Sequence, residues 1–432
     1  MPEGMPSPTG ASRKYVKESK RQGSDMSQDK AARPASAWVV LGVTLAIQAM
    51  VSMAVLTVPA MAPAMARQMG VSVSLIGFFV SVIYLGAMAS SMCAGSFVLR
   101  WGAMRVSQIG LLLCAAGLIV LACTPWPALA LPAAVLIGLG YGPITPASSH
   151  ILVRTTASTG RASLLFSVKQ TGVPLGGVMA GALVPPMVLG AGSSAALWSV
   201  ASACLICACA AEWIRRDLDN DRQPDRRINF SQLWQPISLV IHDGQLRRLA
   251  AVSFVFSALQ MCLAAYLVTY LNAELGLTLV AAGAALSVSQ TGGVVGRILW
   301  GWLADRWISP LRMLALLALI MASCAVGTGL LQANVPSVVL MALLALFGAS
   351  ATGWNGVYLA EVARQAPAGA AGIATGGSLA FTFLGVVVGP LVFGLVAGTS
   401  GSFRLSYLLI ALPVALCAWA LLRQRASPPT TG

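Results

Sequence analysis

Residues 215–247, RRDLDNDRQPDRRINFSQLWQPISLVIHDGQLR, form the only long hydrophilic interval after residue 36. On either side of it the chain is made of apolar runs of 19–30 residues separated by short turns, six before and six after. A bilayer crossing needs about 20 apolar residues, so each run is long enough to span. Over its 432 residues the chain is 57% hydrophobic and 9% charged. Soluble domains carry about 25% charged and 45–50% apolar residues. Lipid must therefore solvate the chain. That excludes a soluble enzyme, a secreted disulfide scaffold and a disordered interaction protein.

The runs fall at 37–61, 74–99, 106–124, 127–153, 162–190 and 194–214, then at 248–273, 279–303, 311–331, 336–360, 368–397 and 403–423. They predict an all-α membrane protein with twelve transmembrane helices in two pseudo-symmetric six-helix bundles. The expected organisation is a disordered tail (1–36), an N-terminal bundle (37–214), a linker (215–247), a C-terminal bundle (248–423) and a short tail (424–432). Both tails and the linker are expected to be cytoplasmic. The first run ends in Ala60-Met61-Ala62, which imitates a signal-peptidase site, but its apolar part exceeds a signal core of about 7–15 residues and reads as a retained span. Within the linker, Phe230, Leu233, Trp234 and Ile237 recur at helical spacing, so part of it is expected to lie on the membrane surface.

The net charge of +14 follows the same topology. With the N-terminus inside, 23 of the 27 Lys and Arg residues fall on the cytoplasmic side, and only Arg67 and Arg404 fall opposite. Lys169 and Arg297 are left within spans. The basic surplus thus needs no nucleic-acid partner, and the richness in Ala and in Arg over Lys suggests a bacterial inner-membrane protein. All nine cysteines sit in apolar runs with no histidine or carboxylate beside them, so no metal, disulfide or cofactor is expected.

The chain also matches itself. At an offset of 206, Gly77, Ser81, Gly86, Gly95, Arg100 and Trp101 meet Gly283, Ser287, Gly292, Gly301, Arg306 and Trp307. At 210, Gly138 and Arg154 meet Gly348 and Arg364; at 213, Gly172, Gly176 and Gly181 meet Gly385, Gly389 and Gly394. Two similar six-helix halves around a central path are transporter architecture.

Gly301-Trp302-Leu303-Ala304-Asp305-Arg306, followed by Arg312, resembles the turn motif between spans 8 and 9 of the major facilitator superfamily. The resemblance extends over 37–423. It implies that Gly301, Asp305, Arg306 and Arg312 form a latch that breaks as the halves rock. The first copy, with Gly95, Arg100 and Arg105, has Leu99 where the acid belongs. Glu361 and Arg364, at the end of span 10, join these gating candidates. Gly172-x-Pro174-x-Gly176-Gly177 and Gly385-x-x-x-Gly389-Pro390 resemble the superfamily's glycine/proline motif, which allows close helix approach and bending.

Lys169 and Arg297 are the candidate substrate-binding pair. A cation at mid-bilayer costs about 2.5–3.5 kcal/mol on insertion scales, and ionisable groups within a membrane default to function. Gln290, Gly293 and Arg297 share one helix face. Arg297 stands four residues before Gly301, the register of the anion-contacting span-8 arginine in nitrate porters, and oxalate and monocarboxylate porters carry a comparable one. Nitrate itself is disfavoured, because the second arginine of nitrate porters aligns with Ser91 and their span-5 signature is replaced by Lys169-Gln170-Thr171-Gly172. All thirteen acids fall in tails, turns or helix ends. Two buried cations without a buried anion make an electropositive cavity whose missing counter-charge is the substrate, a small anion of carboxylate type. Arginine binds such a group bidentately and lysine as a point charge. Gln48, Gln260, Tyr266, Tyr270, Trp354, Asn355 and Tyr358 complete the candidate site, since spans 1, 4, 7 and 10 line the path in the superfamily.

The expected function is secondary transport of this anion by a monomer, alone, with a proton or against a counter-anion. The rivals are a multidrug exporter on the same fold, which the absent buried acid disfavours, and a membrane sensor, for which no output domain is visible.

Overall fold

The computed structural model describes residues 36–123, 126–156, 165, 168–223, 234–367 and 370–423. Eleven helices among these residues are long and apolar enough to cross a membrane. One of them, Val168–Arg215, has 48 residues. At 1.5 Å per residue it would be about 70 Å long, far more than the ~30 Å of hydrocarbon a span has to cross. The length is resolved at Gly192, where φ 86° and ψ 167° interrupt the helix. Only glycine takes such a φ without strain. The helix is therefore two spans, 5 and 6, and the total is twelve.

Span 1 is Ala37–Ala60, span 2 Ile76–Trp101 and span 3 Ala103–Cys123; span 4 runs as two pieces, Pro127–Tyr141 and Ile144–Thr156. Spans 5 and 6 share Gly172–Leu218. Spans 7 to 12 are Gly244–Ala273, Leu279–Arg306, Pro310–Gly329, Ser337–Gln365, Ala371–Ser400 and Phe403–Arg423. With an even number of spans, residues 37 and 423 share one face, here the terminal face; the turn holding Ser74 lies on the far face. Helix starts follow local chemistry. Asp243 caps span 7 by accepting from the Gln245 and Leu246 amides at 2.8 and 2.9 Å, and Thr278 caps span 8 through the Ala281 amide.

The sequence repeat reappears as repeated contacts. A Cβ at Gly138 would run into the Ile83 carbonyl, and one at Gly348 into the Ser289 carbonyl. Residues 83 and 289 are themselves 206 apart, so the 4–2 and 10–8 helix pairs touch at equivalent points. Gly86 against the Val135 carbonyl and Gly292 against the Ala345 carbonyl repeat the relation one turn away. The glycine/proline motifs also lie at close approaches, Gly172 and Gly176 on span 1, Gly385 and Gly389 on span 7. Glycine is needed at these points because the partner is backbone, which cannot step aside.

The halves meet chiefly along two seams, span 2 with 11 and span 5 with 8, and more lightly between spans 1 and 7. Toward the far face, Ser81 Oγ donates to the Val387 carbonyl (2.6 Å) and Ser287 Oγ to the Val178 carbonyl (2.9 Å). Spans 4 and 10 make no comparable contact across the middle among the described residues. Part of the linker is helical, Trp234–His242, and packs on spans 7 and 11, with Gly377 against Pro236 and Val240. Phe230 and Leu233 lie outside the described residues.

Candidate substrate site between the two halves

Pro174 shapes the start of span 5. Proline has no amide hydrogen, so the carbonyl four residues earlier, that of Gln170, loses its helical donor. The ladder resumes one residue later, where the Leu175 amide donates to Thr171 O at 3.0 Å, and Thr171 turns back on Val168 through both its amide and its hydroxyl. Leu165 and Val168 pack on Leu41 of span 1 and Leu152 of span 4, which fixes the approach to this break. Lys169 is thereby enclosed completely, with 0% of its surface exposed. Its Nζ donates to the Thr145 carbonyl of span 4 at 3.4 Å. The Thr145 hydroxyl donates to Gln48 Oε1 at 3.1 Å, while the buried Gln48 Nε2 has no partner among the described residues. A buried donor without an acceptor is costly and marks a place for a ligand oxygen or water.

Arg297 comes from the other half and reaches the same point. Its Nη1 donates to the Gln170 carbonyl at 2.7 Å, and its Nε to the Thr352 carbonyl of span 10 at 3.2 Å. Arg297 thus bridges the halves and fills the acceptor that Pro174 leaves open. The positive charges of Arg297 and Lys169 act on each other unfavourably, and Tyr141 lies close enough to feel Arg297. Neither cation forms an ion pair among the described residues. Both rest on backbone carbonyls.

The remaining candidates divide. Gln290 is buried against Gly177 of span 5, one rung further along the 5–8 seam. Gln260 Oε1 accepts from Trp354 Nε1 at 3.0 Å and Asn355 Nδ2 at 3.4 Å. Asn355 on Gln260 repeats Thr145 on Gln48, at offsets of 210 and 212. Tyr266 is placed elsewhere: its hydroxyl reaches the Ser74 and Pro390 carbonyls near the far face, between Gly77 and Gly394. Tyr270 donates to Thr328 O inside the C-terminal half, and Tyr358 lies against Ser253 and Ser378.

The gating candidates divide as well. Gly95 and Gly301 have nothing within 4 Å of where a Cβ would stand, so no neighbouring helix packs on them. Asp305, Arg306 and Arg312 are exposed, and Asp305 forms no ion pair among the described residues. Arg100 is also exposed, whereas Arg105 leans on Glu212 at 3.8 Å. Glu361 corrects the expectation of no buried acid: it is fully buried, paired with Arg364 at 2.6 Å and with Gln365. Its partners sit on its own helix, so it leaves the Lys169–Arg297 pair uncompensated.

Sequence reading missed three participants. Thr145 and the Gln170 carbonyl carry no charge to betray them, although Pro174 is a visible sign of the latter. The third is the segment after span 6. Asp219 accepts from the Met104 and Arg105 amides (2.7 and 3.0 Å), Asp221 holds His150 and Arg154 (both 2.7 Å), and the Gln223 amide donates to Leu99 O (2.6 Å). An acid from the linker thus caps span 3 beside Leu99, the position where the first turn motif lacks its own. An apolar recess of about 310 Å³ among Val58, Met65, Phe79 and Leu131 faces away from this chemistry.

Twelve spans, a duplicated half and polar groups gathered where the halves meet define a membrane transporter of the two-bundle type. The Major Facilitator Superfamily model matches residues 42–378, and the chain belongs to that family. Among solved structures, it is similar to a crystal structure of a mutant of the nucleoside transporter NupG, with TM-score 0.73 and 16% identity over 88% of this chain and 99% of that one. No curated protein sequence matches it significantly.

Proposed function

We propose that the protein is a secondary carrier of a small organic anion, a carboxylate, working by alternating access in a bacterial inner membrane with both termini cytoplasmic. One observation carries this reading. Lys169 and Arg297, from opposite halves, lie close enough to repel each other and, among the described residues, have only backbone carbonyls as partners. Carbonyl dipoles satisfy the hydrogen-bond geometry of a cation but not its charge. An anion would supply that charge and also give the Gln48 amide an acceptor. Coupling to a proton or a counter-anion fits the same site.

A neutral polar solute is the second reading, favoured by the Gln260–Trp354–Asn355 cluster, whose amides are uncharged and only partly buried. The similarity to a nucleoside transporter is one of fold and does not choose between them. Uptake of radiolabelled carboxylates into proteoliposomes, with nucleosides as competitors, tests both. Loss of carboxylate uptake in Lys169→Ala and Arg297→Ala supports the anion; wild-type uptake in both variants, or competition by nucleosides alone, refutes it.

A further inference from the structure

The 5–8 seam is a ladder with one rung unlike the others. From the far face inward, Gly181 abuts Gly283, the Val178 carbonyl takes Ser287, Gly177 carries Gln290, and the Gln170 carbonyl takes Arg297. The first three rungs are small-residue or neutral contacts. The last puts a full positive charge on a carbonyl that Pro174 relieves of its helical donor. Were residue 174 to carry an amide hydrogen, Gln170 O would be shared between its own helix and Arg297, and its hold on Arg297 would weaken.

We propose that the Gln170 carbonyl is a resident stand-in for the substrate's anionic oxygen: it occupies Arg297 Nη1 in the unloaded carrier and yields that place to the substrate. The inference rests on the anion reading and adds a conformational consequence to it. Arg297 has two kinds of partner on offer, a carbonyl dipole and a carboxylate, and only the carboxylate brings a full opposite charge and can take the guanidinium bidentately. As the anion takes Arg297, the innermost rung between spans 5 and 8 opens. Lys169, next to Gln170 in the chain and already beside Arg297 in charge, closes on the same anion. Loading thus exchanges a contact between the halves for one through the substrate, and the proline leaves the Gln170 carbonyl without a competing helical donor.

The test uses the full chain in nanodiscs, with exposed Cys123 and Cys209 replaced by serine and spin labels at Val153 and Trp302, both exposed near the terminal face of opposite halves. Distances are read for wild type, Pro174→Ala, Arg297→Gln and the control Pro186→Ala, an exposed proline of the same span. Measurements are made without anion and with formate, pyruvate and oxalate as probes. Pro174→Ala and Arg297→Gln are expected to share a shifted distance distribution without anion. Wild type should reach it only with a probe it transports, and Pro186→Ala should behave as wild type. Uptake of that probe by Pro174→Ala should show a KM several-fold lower, because the competing carbonyl is then shared with its own helix. A Pro174→Ala distribution identical to wild type, alongside a shifted Arg297→Gln, overturns the stand-in while leaving the anion site intact. Shifted distributions in both variants, with Arg297→Gln still taking up every probe at the wild-type rate, overturn the anion reading and the stand-in together.

Discussion

The hydroxyl of Tyr266 and the carbonyl of Ser74 lie 2.9 Å apart across the far-face end of the molecule, joining span 7 to the turn before span 2. The same hydroxyl lies 3.0 Å from Pro390 O and fills the space between Gly77 and Gly394. By the internal repeat, these two glycines correspond to Gly283 and Gly181, which touch each other directly. The two seams are therefore closed differently, one by glycine on glycine, the other by a tyrosine bolt.

Tyr266→Phe removes the bolt and keeps the ring, which stacks on Phe393 at 4.7 Å. One intramolecular hydrogen bond is worth about 0.5–1.5 kcal/mol net, or roughly a 2- to 12-fold change in an equilibrium constant. The population with a parted far face should rise by that factor. Spin labels on exposed Leu75 and Thr399, on either side of the 2–11 seam, read it as a growing long-distance component. An unchanged distribution would show that ring packing alone holds this seam.

Glycine contacts make the repeat testable through stability. In Gly138→Ala or Gly348→Ala the new methyl meets a carbonyl of the neighbouring helix, and such overpacking costs about 1–3 kcal/mol. Gly356 lies in span 10 with nothing within 4 Å, so Gly356→Ala is expected to gain about 0.5–1 kcal/mol from reduced backbone freedom in the unfolded chain. Melting temperatures in detergent should fall for the first two and hold or rise for the third.

The fold was legible because its signals are one-dimensional. Twelve runs of the right length, the separation of basic residues and the glycine offsets can all be read without knowing what touches what. The missing boundary inside Val168–Arg215 was legible too, since no span is that long. Lys169 and Arg297 announced themselves by charge. Their partners did not, because Thr145 O and Gln170 O are backbone atoms, and a carbonyl has no letter in a sequence. Tyr266 was assigned to the substrate path from its span and was found at the far-face seam, since span membership fixes neither depth nor direction. The Asp219–Gln223 segment looked like the start of a hydrophilic linker, yet helix continues to Leu218 and the following residues fold onto spans 2, 3 and 4. Contacts between residues some 65–125 positions apart leave no periodic trace.

Asp219 gives that segment a pH signature. Burial raises its carboxyl above the ordinary Asp value, outweighing the Met104 and Arg105 amides that favour the charge. A folded-state pKa above the unfolded one means the folded protein binds this proton more tightly. The corresponding stability is full below the unfolded value of about 3.9 and is lost as pH rises through the folded value. Asp219→Asn abolishes this dependence. Between pH 4 and neutrality, wild type should therefore lose stability relative to Asp219→Asn, as a difference between paired melts. A difference that is flat or of opposite sign would show that the amide hydrogen bonds dominate.

The strongest separation of function from stability is expected at Gln48, which is fully buried and hydrogen-bonded to Thr145, whose carbonyl takes Lys169. Gln48→Glu is nearly isosteric and brings a negative charge to the two cations. If the site exists to receive an anion, this fixed carboxylate fills the role permanently. The variant should melt higher than wild type, because the Lys169–Arg297 repulsion acquires a counter-charge, and should lose carboxylate uptake by at least tenfold, about 1.4 kcal/mol or more in transition-state terms. Gln48→Leu removes the amide without supplying charge. It should leave the melting temperature close to wild type and raise KM more than it lowers the maximal rate. Opposite movements of stability and transport in Gln48→Glu, measured on one preparation, identify an occupied anion site. Parallel losses would reduce Gln48 to a packing residue and remove it from the path.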